Sequence, residues 1–278
     1  MRLSASILLL SLASAVASFG EGFPDPRPTG VASTNGGTIY GQIKIPGRTP
    51  TDLAMVFLFD AANGPPPSRE KYWRVPDFIE ALDKDGAFSL EVPEGTYYFI
   101  ASKRAADSEM GPPQEGDYFY FNGDAKGNPL PLIVIKGTKL NVGVISGAYP
   151  YSRSMLLRDK GITMIEGVVQ DTKGKPVQSV LVFAYTTAAT QGRPLFVSER
   201  TDKDGKFILR VHDGGTFYLL VRALYGAGTP EEGELLSELA GDAQTIVTLK
   251  KEEKLRGIKL IVKPFPRRGK GSKFRNNV

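Results

Sequence analysis

The chain has 278 residues, with Lys plus Arg 35 against Asp plus Glu 30, one His, no Cys, and 31 Gly with 20 Pro. Without Cys there is no disulfide scaffold, thiolate zinc site, iron–sulfur cluster, covalent haem or Cys nucleophile, and His212 is the one imidazole available to catalysis. The length suits one large or two modest domains, and Gly plus Pro near 18% suits turn-rich β structure.

The chain opens on a signal peptide over residues 1–17. Arg2 is its positive end, Ile7 to Ala13 its apolar run, and Ala15-Val16-Ala17 its small-residue cleavage site, in a bacterial layout. That run is too short to anchor in a bilayer about 30 Å thick, and no later segment approaches a transmembrane length. The mature chain is therefore expected outside the cytoplasm, in the periplasm, at the cell surface or in the medium. Residues 18–36 mix Pro, Gly, Ser and Thr without periodicity and read as a linker.

From residue 37 the chain says nearly the same thing twice. Ile39-Tyr40-Gly41-Gln42-Ile43 matches Ile165-Glu166-Gly167-Val168-Val169, and Met55-Val56-Phe57-Leu58-Phe59 matches Leu181-Val182-Phe183-Ala184-Tyr185. Asp83-Lys84-Asp85-Gly86-Ala87-Phe88 matches Asp202-Lys203-Asp204-Gly205-Lys206-Phe207, and Gly95-Thr96-Tyr97-Tyr98 matches Gly215-Thr216-Phe217-Tyr218. Three weaker blocks follow in the same order, so two homologous domains are expected, at 37–148 and 163–264, joined by a linker at 149–162. Each reads as short strands between turns, with alternation plain at 163–169, 206–210 and 255–261. Asp-Gly at 85–86 and 204–205 marks hairpins, because Gly supplies positive φ and Asp caps nearby amides. The first domain carries an inserted loop at 61–82, whose end, Asp77 to Leu82, is the one helical candidate. The fold class expected is all-β, two tandem antiparallel β-sandwiches.

The string Ile165-Glu166-Gly167-Val168-Val169-Gln170-Asp171, then Gly174-Lys175-Pro176-Val177 and Val180-Leu181-Val182, resembles the opening of a carboxypeptidase regulatory-like domain. Thr201-Asp202-Lys203-Asp204-Gly205-Lys206-Phe207 followed by Gly215-Thr216-Phe217-Tyr218 resembles its middle. That family is similar to transthyretin in fold, a seven-stranded antiparallel sandwich, and overlaps the Cna-B-like modules of surface proteins. The resemblance covers both repeats. The first departs from it with Gly47-Arg48-Thr49-Pro50 in place of the Gly-Lys-Pro turn and with its insertion. It implies non-catalytic spacers, interaction modules or carbohydrate-proximal accessories.

Candidate sites divide the two repeats. The first holds Lys71-Tyr72-Trp73-Arg74, with the only Trp, and Tyr118-Phe119-Tyr120-Phe121. Side chains alternate along a strand, so two of those four aromatics are expected at the surface. Tyr72, Trp73, Arg74, Tyr118 and Tyr120 form the expected partner- or ligand-binding set. The alternative is that Tyr72 and Trp73 pin the insertion onto a sandwich. His212-Asp213 lacks a companion nucleophile motif and reads as structural, so no catalytic residue is assigned. Asp83, Asp85, Asp202 and Asp204 read as hairpin turns, with weak calcium binding as the alternative. Acidic loops recur at Glu115, Asp117 and Asp124 and at Glu232, Glu234 and Asp242, and read as flaps on the sandwich edge. Lys44, Asn141 and Lys259 are the groups an isopeptide crosslink would draw on. No metal site or cofactor-binding signature is assigned.

The basic residues from Lys263 onward, Arg267, Arg268, Lys270, Lys273 and Arg275 among them, form a tail at 265–278 expected to tether the chain to an anionic surface. Without the leader and these six, 28 basic residues face 30 acidic, so the positive charge reads as a property of the tail rather than of a domain face, which argues against specific nucleic-acid binding. The expected function is an exported, non-catalytic binding or structural module of the bacterial envelope or extracellular space. Its partner would be an envelope protein or polysaccharide, with self-assembly through strand edges. A calcium-dependent adhesin-like module and an accessory part of a secreted hydrolase are the alternatives.

Overall fold

A computed structural model describes residues 36–49, 53–105, 109–156, 161–188, 193–226, 229–237 and 244–266. The strands of the first repeat are β1 (Gly36–Ile43), β2 (Ala54–Asp60), β3 (Phe78–Ala81), β4 (Ala87–Pro93), β5 (Gly95–Lys103), β6 (Tyr118–Phe121), β7 (Leu132–Val134), β8 (Lys139–Ile145) and β9 (Tyr149–Pro150). After a single 3-10 turn at Arg153–Met155 come β10 (Thr163–Asp171), β11 (Leu181–Tyr185), β12 (Phe196–Val197), β13 (Lys206–Val211), β14 (Gly215–Arg222), β15 (Leu235–Leu236), β16 (Thr245–Leu249) and β17 (Lys254–Pro264). The described chain is nearly all β. Asp77 to Leu82 is not a helix: β3 pairs antiparallel along β2, setting Ile79 opposite Phe57, because the edge of β2 offers backbone partners that a single helical turn in water would lack.

Each repeat builds a small sheet and a larger one. The small sheets are β4-β1-β8 and β13-β10-β17; the larger ones run β3-β2-β5-β6-β9 and β12-β11-β14-β15, the last continuous with β17. β7 and β16 pair with β5 and β14 respectively. Pairing is antiparallel except at one place in each repeat, where the first strand runs parallel to a late one, β1 with β8 and β10 with β17. In the second repeat β15 pairs with both β14 and β17, joining the two sheets at a corner.

The glycine shared by both opening blocks has a steric cause. A Cβ on Gly167 would lie 2.0 Å from the carbonyl oxygen of Ile258, and one on Gly41 2.8 Å from that of Gly143. Both face a register shift in the parallel partner strand, where a bulge brings backbone close. Gly167→Ala is therefore expected to cost about 1–3 kcal/mol, the usual range for overpacking. A shift below about 0.5 kcal/mol in urea unfolding would contradict the close approach.

Three apolar layers alternate with the sheets. Ile39, Val56, Leu58, Tyr97 and Phe99 fill the first sandwich, and Ile165, Val182, Phe207, Leu209 and Leu219 the second. The third layer lies between the larger sheets of the two repeats, with Phe59, Ile100, Phe119 and Phe121 on one side and Leu181, Phe183, Tyr185 and Leu220 on the other. β2, β5, β11 and β14 are thus covered on both faces. This is why their central residues form uninterrupted apolar runs instead of alternating with polar ones.

Candidate functional site

The inserted segment leaves the first repeat and docks on the second. Its backbone adds to the edge of β12: the Val197 N–H donates to the Trp73 carbonyl at 3.1 Å, and the Val75 N–H to the Leu195 carbonyl at 3.0 Å. Tyr72 enters the second sandwich's core, edge-on to Phe196 and to His212, each at 5.4 Å between centroids. Its hydroxyl donates to the Pro66 carbonyl at 2.5 Å, and burial pushes its pKa up. Trp73 sits in the middle layer against Phe119 and Tyr151. Arg74 folds back, donating to the Pro65 and Asp60 carbonyls at 2.7 and 2.6 Å and pairing with Asp77 at 2.7 Å.

The expectation that these residues face a partner is corrected by their packing. Tyr72, Trp73 and Arg74 are 5%, 7% and 5% exposed, and the arrangement is the alternative one, a pinned insertion. Tyr118 and Tyr120 are half-buried against the first core, Tyr120 edge-on to Phe99 at 5.9 Å. Phe119 and Phe121 are buried in the middle layer. Alternation along β6 is kept, but Tyr118 and Tyr120, the pair expected at the surface, pack on the first core, and Phe119 and Phe121 face the second repeat.

The recurrent acidic loops supply buried ion pairs. Asp117 is 0% exposed and pairs with Arg104 at 2.9 Å, while accepting the amides of Ala105 and Gln114 at 2.7 and 2.8 Å. Glu234 occupies the corresponding turn. It accepts from Arg222 Nε and Nη2 at 2.9 and 2.7 Å and from the amides of Leu224 and Glu231. Arg104 also donates to the carbonyls of Glu109, Gly111 and Pro112, tying the loop down. Burial pulls its pKa down and Asp117 opposes that. The sequence reading as edge flaps missed this; the signal was an acid directly before β6 and β15 in both repeats, with an Arg at the end of the preceding long strand.

Tight turns stand at both Asp-Gly pairs, but the capping acids are Asp83 and Asp202, three residues before the glycine, and the strands they join lie in different pairings rather than forming hairpins; turns of this kind recur more often than expected. Asp83, Asp124, Asp171 and Asp202 each accept two backbone amides through Oδ1, from residues two and four further on, at 2.8–2.9 Å. Gly86, Gly127, Gly174 and Gly205 each take positive φ at the fourth position. The Ala87 and Lys175 amides hold Asp83 and Asp171 below the usual carboxylate range, and the Asn128 side chain does most of this at Asp124. These oxygens are engaged by the turns themselves. Among the described residues no group of three or more His, Cys, Asp or Glu converges as a metal site. His212 pairs through Nδ1 with Asp213 at 2.6 Å, and Lys251 meets the same carboxylate at 2.8 Å, all at the surface. Lys44, Asn141 and Lys259 are exposed, whereas an isopeptide bond needs a buried site. The tail residues Arg267, Arg268, Lys270, Lys273 and Arg275 lie outside the described residues, as do Asp242 and the leader.

Among the described residues, a groove of about 280 Å³ lies where the insertion and the 149–162 segment meet the second repeat. Its apolar lining is Leu156, Met164, Ile208 and Trp73. Its rim carries Arg153, Glu199, Glu166 and Arg210. Arg153 pairs with Glu199 at 2.9 Å, and Glu166 with Arg256 at 3.0 Å. None of these was singled out from the sequence, except Trp73, although the alternation at 206–210 places Ile208 and Arg210 on one outward row.

No family model matches the chain. No curated protein matches it either, so the resemblance to carboxypeptidase regulatory-like domains stands on the residues quoted. Among solved structures, the chain is similar to a leucine-rich repeat protein from Bacteroides thetaiotaomicron, at 9% identity and TM-score 0.25, over 84% of this chain and 26% of that one. A streptococcal ancillary pilin gives 14% identity and TM-score 0.23, over 84% and 64%. A shaft pilin from Lactobacillus rhamnosus GG gives 9% and 0.22, over 84% and 98%. The chain thus spans about a quarter of the first and under two thirds of the second. At these identities and TM-scores the likenesses bear on neither ligand nor activity. No described helix is long and apolar enough to cross a membrane.

Proposed function

We propose that this protein is an exported, non-catalytic binding or structural module of the bacterial envelope or extracellular space, contacting a polysaccharide or protein. Export rests on the leader pattern at 1–17. The observation that supports binding is the groove, in which an apolar lining is framed by paired Arg and Glu side chains, planar groups suited to hydroxyls and to the apolar face of a sugar ring. The groups that catalysis would draw on are engaged elsewhere: Asp117 and Glu234 with buried arginines, the turn aspartates with backbone amides. Division into two repeats, at 37–148 and 163–264, belongs to the same proposal.

The test is affinity electrophoresis of the full chain in gels containing envelope polysaccharide, with polymer length measured after incubation. Arg153→Ala with Glu199→Ala removes a surface pair worth at most about 1 kcal/mol of stability, so the fold should hold while retention falls several-fold. Shortening of the polymer would overturn the non-catalytic reading. Absence of retention of both polysaccharide and envelope protein would overturn the binding one.

A further inference from the structure

The two small sheets form the outer faces of the layered stack, and they differ in charge. In β13-β10-β17 the inward residues Ile165, Val169, Phe207, Leu209, Leu260 and Val262 are buried. The outward ones fall into three lanes by register. Met164, Glu166 and Val168 on β10 run up the middle. Opposite Met164 stand Arg210 and Lys254, and opposite Val168 stand Lys206 and Lys259. Arg256 joins the β17 lane through its pair with Glu166, and the β17 alternation carries on to Lys263. Strands lie about 4.8 Å apart, so the two cationic lanes are about 9.5 Å apart. The middle lane holds one acid, Glu166, and Asp204 sits beside Lys206 at the sheet end.

The equivalent face of the first repeat has Tyr40 where the second has Glu166, Glu91 for Arg210, Ala87 for Lys206 and Val144 for Lys259. The inward positions agree between repeats (Ile39 with Ile165, Phe88 with Phe207, Leu140 with Leu255); of the outward ones Lys139 matches Lys254, and the rest differ, leaving the first face near-neutral and the second basic. The expectation that the positive charge belongs to the tail alone is therefore corrected. The body is close to neutral as a sum but carries a basic face.

We propose that this face binds a linear polysaccharide bearing acidic groups, laid along the strands with its sugar rings over the middle lane and its charges toward the two cationic lanes. The inference rests on the reading of the chain as a binding module and names its ligand class. Charge complementarity supplies the sign, and the groove at the Met164–Ile208–Arg210 end supplies a seat for one sugar unit. The lanes carry no aromatic ring, which stacking of nucleic-acid bases would call for. Met164 is 4% exposed, a recessed position that a flat bilayer does not reach.

The test uses the full chain and polygalacturonate as probe, against dextran as the neutral polymer. Retention by polygalacturonate and not by dextran is expected. It should weaken when salt rises from about 0.1 M to about 1 M, which shortens the screening length from about 10 Å to about 3 Å. Lys206→Gln, Arg210→Gln, Lys254→Gln and Lys259→Gln together should weaken binding by at least about tenfold, since each exposed charge contact contributes a factor of about two to five. Lys206→Gln with Lys259→Gln, both on exposed positions, should give at least about fourfold if the fourfold variant melts early. A control removing the same charge elsewhere, Lys84→Gln, Lys126→Gln, Lys139→Gln and Lys173→Gln, should stay within about twofold of wild type. Equal loss in the control, loss only on neutralising Arg267, Arg268, Lys270, Lys273 and Arg275, or tighter retention by single-stranded DNA or anionic vesicles would each overturn the proposal. Capture of neutral polysaccharide or envelope protein, unchanged in the face variant, would sink this inference and leave the broader reading standing. No capture at all would sink both.

Discussion

Asp117→Ala is expected to lower stability by about 3–5 kcal/mol, the usual cost of stranding one member of a buried ion pair. The cause is the environment: Arg104 and Asp117 side chains are 3% and 0% exposed, so water cannot replace the lost carboxylate. The same substitution also frees the amides of Ala105 and Gln114, each a buried donor with a cost of its own. Glu234→Ala should behave alike in the second repeat, where Arg222 and Glu234 are 6% and 2% exposed. Against a total of about 5–15 kcal/mol this is a large fraction. Arg104→Met with Asp117→Leu removes both charges and should recover at least half of the loss, because the desolvation cost goes with the attraction. Urea unfolding of the three variants separates the outcomes. A single-variant loss below about 1 kcal/mol would mean the pair is screened by solvent.

Tyr72→Ala should cost about 3–5 kcal/mol, as truncation of a buried aromatic does, rather than the few tenths of a surface residue. Its second effect is on cooperativity. Tyr72 belongs to the first repeat's insertion yet fills the second repeat's core, so its loss weakens the adjacent β-bridge between Arg74 and Phe196. The wild-type chain should melt in one transition and the variant in two. Trp73, the only Trp, lies in the layer between them and reports the step directly. Its emission should shift to the red at a lower temperature than the loss of β signal in circular dichroism. Coincident transitions in the variant would mean that the middle layer alone couples the repeats. On the surface reading of this segment, removing Trp73 and Tyr120 leaves the fold intact; the packing predicts the reverse for Trp73.

Most strands and the tight turns at the glycines were legible because each has a local signature: a period of two, a residue needed for positive φ. What was not legible was which faces are covered. Met55 to Phe59 and Leu181 to Tyr185 are unbroken apolar runs, and Tyr118 to Phe121 unbroken aromatic, a pattern that belongs to strands buried on both sides. Taking sheets as half-solvated put Tyr118 and Tyr120 wholly at the surface, where they are half-buried against the first core. Asp117 and Glu234 were visible as a recurrence, but their partners lie 13 and 12 residues upstream, at the end of a strand, where spacing alone does not pair them. The basic face was hidden for a different reason. Summing charge over the body cancels Lys206, Arg210, Lys254 and Lys259 against acids on other faces, and only register places them together.

The parallel pairing of the first strand with a late one has a mechanical consequence. β1 enters at Gly36 and β8 leaves at Ile145 as adjacent parallel strands, and β10 and β17 repeat the arrangement. A pull on the two ends of either repeat therefore slides one strand along the other and loads every inter-strand bond of the pair at once. An antiparallel pair of terminal strands would instead peel open one bond at a time. Tension applied at the two ends of such a pair would be borne in the direction these sheets resist best.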